Sequence, residues 1–78
     1  MAKAFVLIET VVGKSREVVA ALRQLEGVES ADLVTGPYDV IVVVLGERLN
    51  DIGELVTGKI HPIAGIARTV TCLAIEGG

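Results

Sequence analysis

Few residues in this chain are equipped for chemistry: one histidine, one cysteine, one tyrosine, two threonines spaced two apart, and scattered carboxylates. His61 stands in Lys59-Ile-His-Pro62 with no Cys, Asp or Glu at ligand spacing, so no metal site is expected. A general base needs a partnered pocket, and none is evident around His61; a helix C-cap or surface position is expected instead. Cys72 has no second cysteine to bridge to, and among Val70, Leu73 and Ala74 it reads as a small buried hydrophobe. There is no Cys-x-x-Cys pair and no glycine-rich phosphate loop, so no cofactor is expected. Glu9, Glu17, Glu26, Glu29, Glu47, Asp51 and Glu54 are dispersed and read as solvated faces. No catalytic residue is expected.

The stretch Thr35-Gly-Pro-Tyr-Asp-Val40 is harder to set aside. A tight turn uses Gly and Pro to set backbone angles and tolerates Asp, but it has no need of the chain's only tyrosine. Thr69 and Thr71 share a strand face by their spacing, and are candidates for polar contacts to a ligand as well as ordinary strand formers. Arg68 then points the other way, toward a cross-strand Glu or Asp.

The elements that must position these residues follow from periodicity. Residues 4–12 are β-branched and aliphatic up to Gly13, which predicts a strand. In residues 14–26, Val18, Leu22 and Leu25 recur at helical spacing before Gly27 ends the pattern. Residues 28–35 alternate, with Val28, Ser30 and Asp32 expected on one side and Ala31 and Leu33 on the other. Residues 40–45 predict a strand buried on both faces. Leu49, Ile52, Val56 and Ile60 predict a second helix, weakened by Gly53 and Gly58. Residues 66–75 predict a last strand.

A faint duplication, Leu25-Glu-Gly-Val28 against Ile63-Ala-Gly-Ile66, places a helix-to-strand junction at the same point of each half. The expectation is an α+β, ferredoxin-like split β-α-β-β-α-β fold: a four-stranded antiparallel sheet with both helices on one face. It forms a single domain over residues 1–78.

Composition adds an assembly argument. The chain has 78 residues, is 51% apolar with mean hydropathy +0.64, and has almost no aromatics. A chain this short buries only roughly 60% of its unfolded surface. Phe5 and Leu7 oppose Val6 and Ile8, and Ile41 and Val43 oppose Val42 and Val44, so the sheet face without helices is apolar too. A second sheet is expected to cover it, giving a homodimer through the sheet, of the dimeric α/β barrel type, with strand exchange possible at the edges. The longest apolar runs fall far short of the roughly 20 residues a spanning helix needs, and no signal peptide is read at the start. Net charge −3 and a pI near 4.9 argue against direct nucleic-acid contact. A cytoplasmic location is expected.

The string Leu25-Glu-Gly-Val-Glu-Ser-Ala-Asp-Leu-Val-Thr-Gly-Pro-Tyr-Asp-Val-Ile-Val-Val-Val44, followed by Ile60-His-Pro-Ile-Ala-Gly-Ile-Ala-Arg-Thr-Val-Thr-Cys-Leu-Ala-Ile75, resembles the effector-sensing (RAM) domain of the Lrp/AsnC transcriptional regulators. The family pattern is a Gly-Val strand start, Thr-Gly-x-x-Asp before a valine-rich strand, and Gly-Val-x-x-Thr-x-Thr in the last strand. Full-length members carry an N-terminal helix-turn-helix, and here the match begins at the first strand, which implies a stand-alone module.

The resemblance further implies dimers assembling into a higher oligomer, with an amino acid or related metabolite bound where dimers meet. It would act in transcriptional regulation of amino-acid metabolism, with a full-length regulator as a possible partner. Carried over, the ligand-binding residues are Gly36, Pro37, Tyr38 and Asp39, with Thr69 and Thr71. Gly36 would let a ligand approach backbone N–H groups that hold a carboxylate, and Asp39 would accept from an ammonium group. Two alternatives stand beside this: a purely structural oligomerisation domain, and a small dimeric isomerase or monooxygenase using Tyr38, Asp39 and His61.

Overall fold

Every second residue of the two central strands is sealed from solvent. Ala4, Val6 and Ile8 of β1 (Ala2–Thr10) and Val40, Val42 and Val44 of β3 (Val40–Gly46) have no exposed surface. In a computed structural model describing residues 1–75, these strands pair antiparallel, Val6 opposite Val42 and Ile8 opposite Val40. β2 (Val28–Leu33) flanks β3 and β4 (Ile66–Leu73) flanks β1, so the order across the sheet is β2-β3-β1-β4, all antiparallel. Both crossovers return over one face, bringing α1 (Ser15–Leu22) and α2 (Leu49–Leu55) onto the sealed side. This is the expected split β-α-β-β-α-β fold.

The core closes through Val18, Val19 and Leu22 of α1 and Ile52 of α2. α2 runs on into a π-helical turn, Val56–Ile60, in which the His61 amide donates to the Val56 carbonyl at 2.9 Å. The wider turn carries Val56 and Ile60 onto the core. Leu49, expected on the buried stripe, is instead 60% exposed at the helix start. There the Asp51 carboxylate caps the helix by accepting the Arg48 amide at 3.0 Å.

The duplication proves to be a repeated joint. Leu25 donates to Leu22 at 3.1 Å and Val28 to Leu25 at 3.3 Å; Ile63 donates to Ile60 at 3.0 Å and Ile66 to Ile63 at 3.4 Å. Gly27 and Gly65 sit in these joints at φ +93° and +100°, a region costly for residues bearing a Cβ.

Three further expectations are corrected. The first strand ends at Thr10, not residue 12: its last β4 partner is Ile66, past a bulge between Glu9 and Thr10, and the next amide, that of Val11, donates to the Gly65 carbonyl in the joint before β4. A second bulge between Val28 and Ser30 flips the start of β2, so Val28 packs against the core with Ala31 while Ser30 and Asp32 face away. Cys72 is exposed rather than buried, since it opposes Phe5 on the sheet face that no helix covers.

That uncovered face carries Phe5, Leu7, Ile41, Val43, Leu45 and Val70, with Phe5 38% exposed and the others half-buried. Its polar members lie toward the rim. Arg68 pairs with Glu9 across β1 and β4 at 3.0 Å, as the strand parity predicts, and the Lys3 ammonium lies 5.5 Å from the Phe5 ring centre. No helix among the described residues is long and apolar enough to cross a membrane.

Candidate functional site: the β2–β3 loop and the helix side of β4

The loop between β2 and β3 is fastened at its C-terminal end. Asp39 donates its amide to the Ile8 carbonyl at 2.9 Å and accepts from the Val34 amide at 2.9 Å. Its carboxylate reaches over the end of β1, where one oxygen accepts the Thr10 amide at 2.8 Å and the Thr10 hydroxyl at 3.2 Å. The same hydroxyl lies 2.6 Å from the Ser15 hydroxyl at the head of α1. A charge-assisted acceptor here satisfies an amide that lies past the last β1–β3 pair, Ile8 with Val40. Asp39 therefore ties together the end of β1, the start of α1 and the base of the loop.

The tip behaves differently. Thr35, Gly36 and Pro37 are exposed, and no atom lies within 4 Å of where a Gly36 side chain would begin. Tyr38 is half-buried beside Asp39. Backbone at an open glycine is accessible to a ligand's carboxylate, and the tyrosine supplies a flat wall beside it. Within one chain this is a protruding loop.

Thr69 and Thr71 share the helix side of β4, opposite Ile8 and Val6. Thr69 is engaged: its hydroxyl lies 3.0 Å from His61 Nε2. His61 is exposed just after the π-helical turn, at the helix C-cap position expected for it. Thr71 opens onto a groove of about 290 Å³ between β4 and the second helix, with Leu49, Ile52, Gly53, Val56, Thr57 and Leu73 as its other walls. The groove is mostly apolar. One chain does not unite the two sets of candidates, because Ile8 of β1 stands between Val40, where the loop ends, and Thr69. Among the described residues no group of three or more His, Cys, Asp or Glu is placed to hold a metal.

Fold and site geometry together define a small ferredoxin-like α+β module. The chain belongs to the Lrp/AsnC family: the family's ligand binding domain matches residues 3–77. It is 32% identical over 59 residues to the uncharacterized HTH-type transcriptional regulator PH1916 of Pyrococcus horikoshii, covering 76% of this chain and 39% of that protein. The chain thus spans about two fifths of the regulator it matches.

Among solved structures, a hypothetical protein of Pyrococcus horikoshii, PHS023, superposes with TM-score 0.91 at 39% identity, over 97% of this chain and 92% of that one. TTHA0845 from Thermus thermophilus superposes with TM-score 0.94 at 32% identity, over 100% and 98%. The transcriptional regulator NMB0573 from Neisseria meningitidis, solved as its L-Met complex, shares the fold alone: TM-score 0.85 at 18% identity, over 97% of this chain and 51% of that one.

Proposed function

We propose that this chain is an effector-responsive assembly module of the Lrp/AsnC type, acting in transcriptional regulation of amino-acid metabolism without catalysing a reaction. Two chains close their uncovered sheet faces on each other, and these pairs join into a larger assembly. An amino acid or related small metabolite binds where pairs meet, against Gly36, Pro37, Tyr38 and Asp39 and the face bearing Thr69 and Thr71. The chain reads no DNA itself, and a full-length Lrp/AsnC regulator is its partner.

The observation that carries this reading is the uncovered apolar face. Phe5, Leu7, Ile41, Val43, Leu45 and Val70 form a contiguous patch of the kind that soluble chains bury against a partner. Family membership supports the regulatory role, and the L-Met complex of the neisserial regulator supports an amino-acid effector. The effector acts by linkage: it shifts assembly only as far as it binds the associated state more tightly than the separated one. The Thr10 bonds of Asp39 favour a structural duty for that carboxylate, leaving the loop tip to make most ligand contacts.

Native mass spectrometry with and without the twenty amino acids tests the proposal. Even-numbered assemblies that gain ligand mass in one step per junction are expected. A chain that stays monomeric overturns the assembly, and assemblies that never take up ligand reduce the chain to a structural oligomerisation domain.

A further inference from the structure

Among the described residues five Lys and Arg side chains lack a carboxylate partner, and two of them share one groove. Lys14 pairs with Glu17 and Arg68 with Glu9, whereas Arg16 and Arg23 make no ion pair. They lie seven residues apart on the same side of α1 and its extension, at the rim of an open groove of about 340 Å³ between α1 and β2. Val19, Ala20 and Leu33 provide its apolar surface. Arg23 is held in place: its Nε and Nη2 both donate to the Ala31 carbonyl, at 3.1 and 2.8 Å. That bond leaves the Nη1 hydrogens unused on a guanidinium whose position is already set, so little side-chain freedom remains to be lost on binding.

We propose that this groove binds a small monocarboxylate with a short aliphatic tail, of the 2-oxo acid or fatty acid class. The carboxylate lies between Arg16 and Arg23, and the tail lies along Val19, Ala20 and Leu33. Guanidinium suits a planar carboxylate, and on a chain of net charge −3 an unpaired couple of such groups is the natural place for an anion. The lining also sets the specificity. It contains no Asp or Glu, so the α-ammonium of an amino acid would meet two positive charges and no acceptor carboxylate. The groove therefore favours a deaminated acid over the corresponding amino acid. This site is separate from the loop at residues 36–39 and stands whether or not that loop binds an effector.

Amide NMR titrations of the assembled protein with 4-methyl-2-oxopentanoate, leucine and 4-methylpentanamide test the inference, since the three share one aliphatic tail. The oxo acid is expected to give saturable shifts at Val19, Ala20 and Leu33, with at least tenfold weaker response to leucine and none to the amide. Arg16→Gln, at an exposed position free of the Ala31 bond, is expected to weaken the oxo acid tenfold or more; Arg23→Gln should do the same. Unsaturable shifts, equal response to leucine at these amides, or undiminished binding by Arg16→Gln overturns the site. Shifts confined to residues 36–39 would also overturn it while supporting the loop as an effector site.

Discussion

Asp39 shows how one carboxylate can resemble a ligand contact and yet hold the fold. Its oxygen accepts both the amide and the hydroxyl of Thr10, which lies past the last β1–β3 pair, Ile8 with Val40. Hydrogen bonds to a charged group contribute about 1.5–3 kcal/mol each, and an orphaned amide carries its own desolvation cost. Asp39→Ala is therefore expected to lower unfolding stability by about 2–3 kcal/mol in urea denaturation, with Thr10→Val lowering it by less. If Asp39→Ala costs under about 0.5 kcal/mol, the Thr10 contact is not an anchor and Asp39 is available to a ligand. Tyr38 is separable by the same logic: Tyr38→Ala should leave urea stability nearly unchanged and reduce effector uptake in native mass spectra.

Glycines divide by their place in an element. Gly65 adopts φ +100°, and a Cβ there would come within 3.0 Å of Lys14 Cβ and Val18 Cγ2. The left-handed conformation alone costs an L-residue about 1–2 kcal/mol, and displacing Val18 from the core adds to it. Gly53, inside α2, has nothing within 4 Å of its would-be side chain. An alanine there gains helix propensity of about 0.5–1 kcal/mol. Opposite signs are expected on thermal unfolding: Gly65→Ala lowers the midpoint and Gly53→Ala raises it. Two shifts of the same sign would contradict this assignment of local conformation.

At the scale of the whole molecule the decisive feature is asymmetry between the two sheet faces. One is sealed by α1, α2 and the π-helical turn; the other leaves Phe5, Leu7, Ile41, Val43, Leu45 and Val70 without cover. A charge at the middle of that patch would be buried without a partner on association, costing several kcal/mol, whereas the same charge on an outlying turn costs nothing comparable. Val43→Glu is expected to abolish assemblies in native mass spectra. Val12→Glu, at a position 96% exposed, should leave them intact. Assemblies that survive Val43→Glu would place the interface elsewhere.

The strand and helix order, the buried stripe of Val18, Leu22, Ile52, Val56 and Ile60, and the two-faced β1 and β3 were all determined by the sequence alone. Periods of two and of 3.6 are local properties written directly into apolar spacing. The helix-to-strand joints at Gly27 and Gly65 were legible for a related reason, as the same short pattern occurs twice.

The bulges at Glu9/Thr10 and Val28/Ser30 were not legible, because an extra residue in a ladder is decided by partner strands distant in sequence. The second reversed the side taken by Val28. Cys72 was misplaced for a related reason: apolar neighbours in sequence do not say which sheet face lacks helices. The candidate site divided the same way. Residue types marked the 36–39 loop and the paired threonines, but only the tertiary structure showed Asp39 committed to Thr10, Thr69 to His61, and the strand β1 lying between the two sets. Spacing along one chain reports which side of an element a residue takes, whereas the partner of each polar atom depends on segments brought together only by folding.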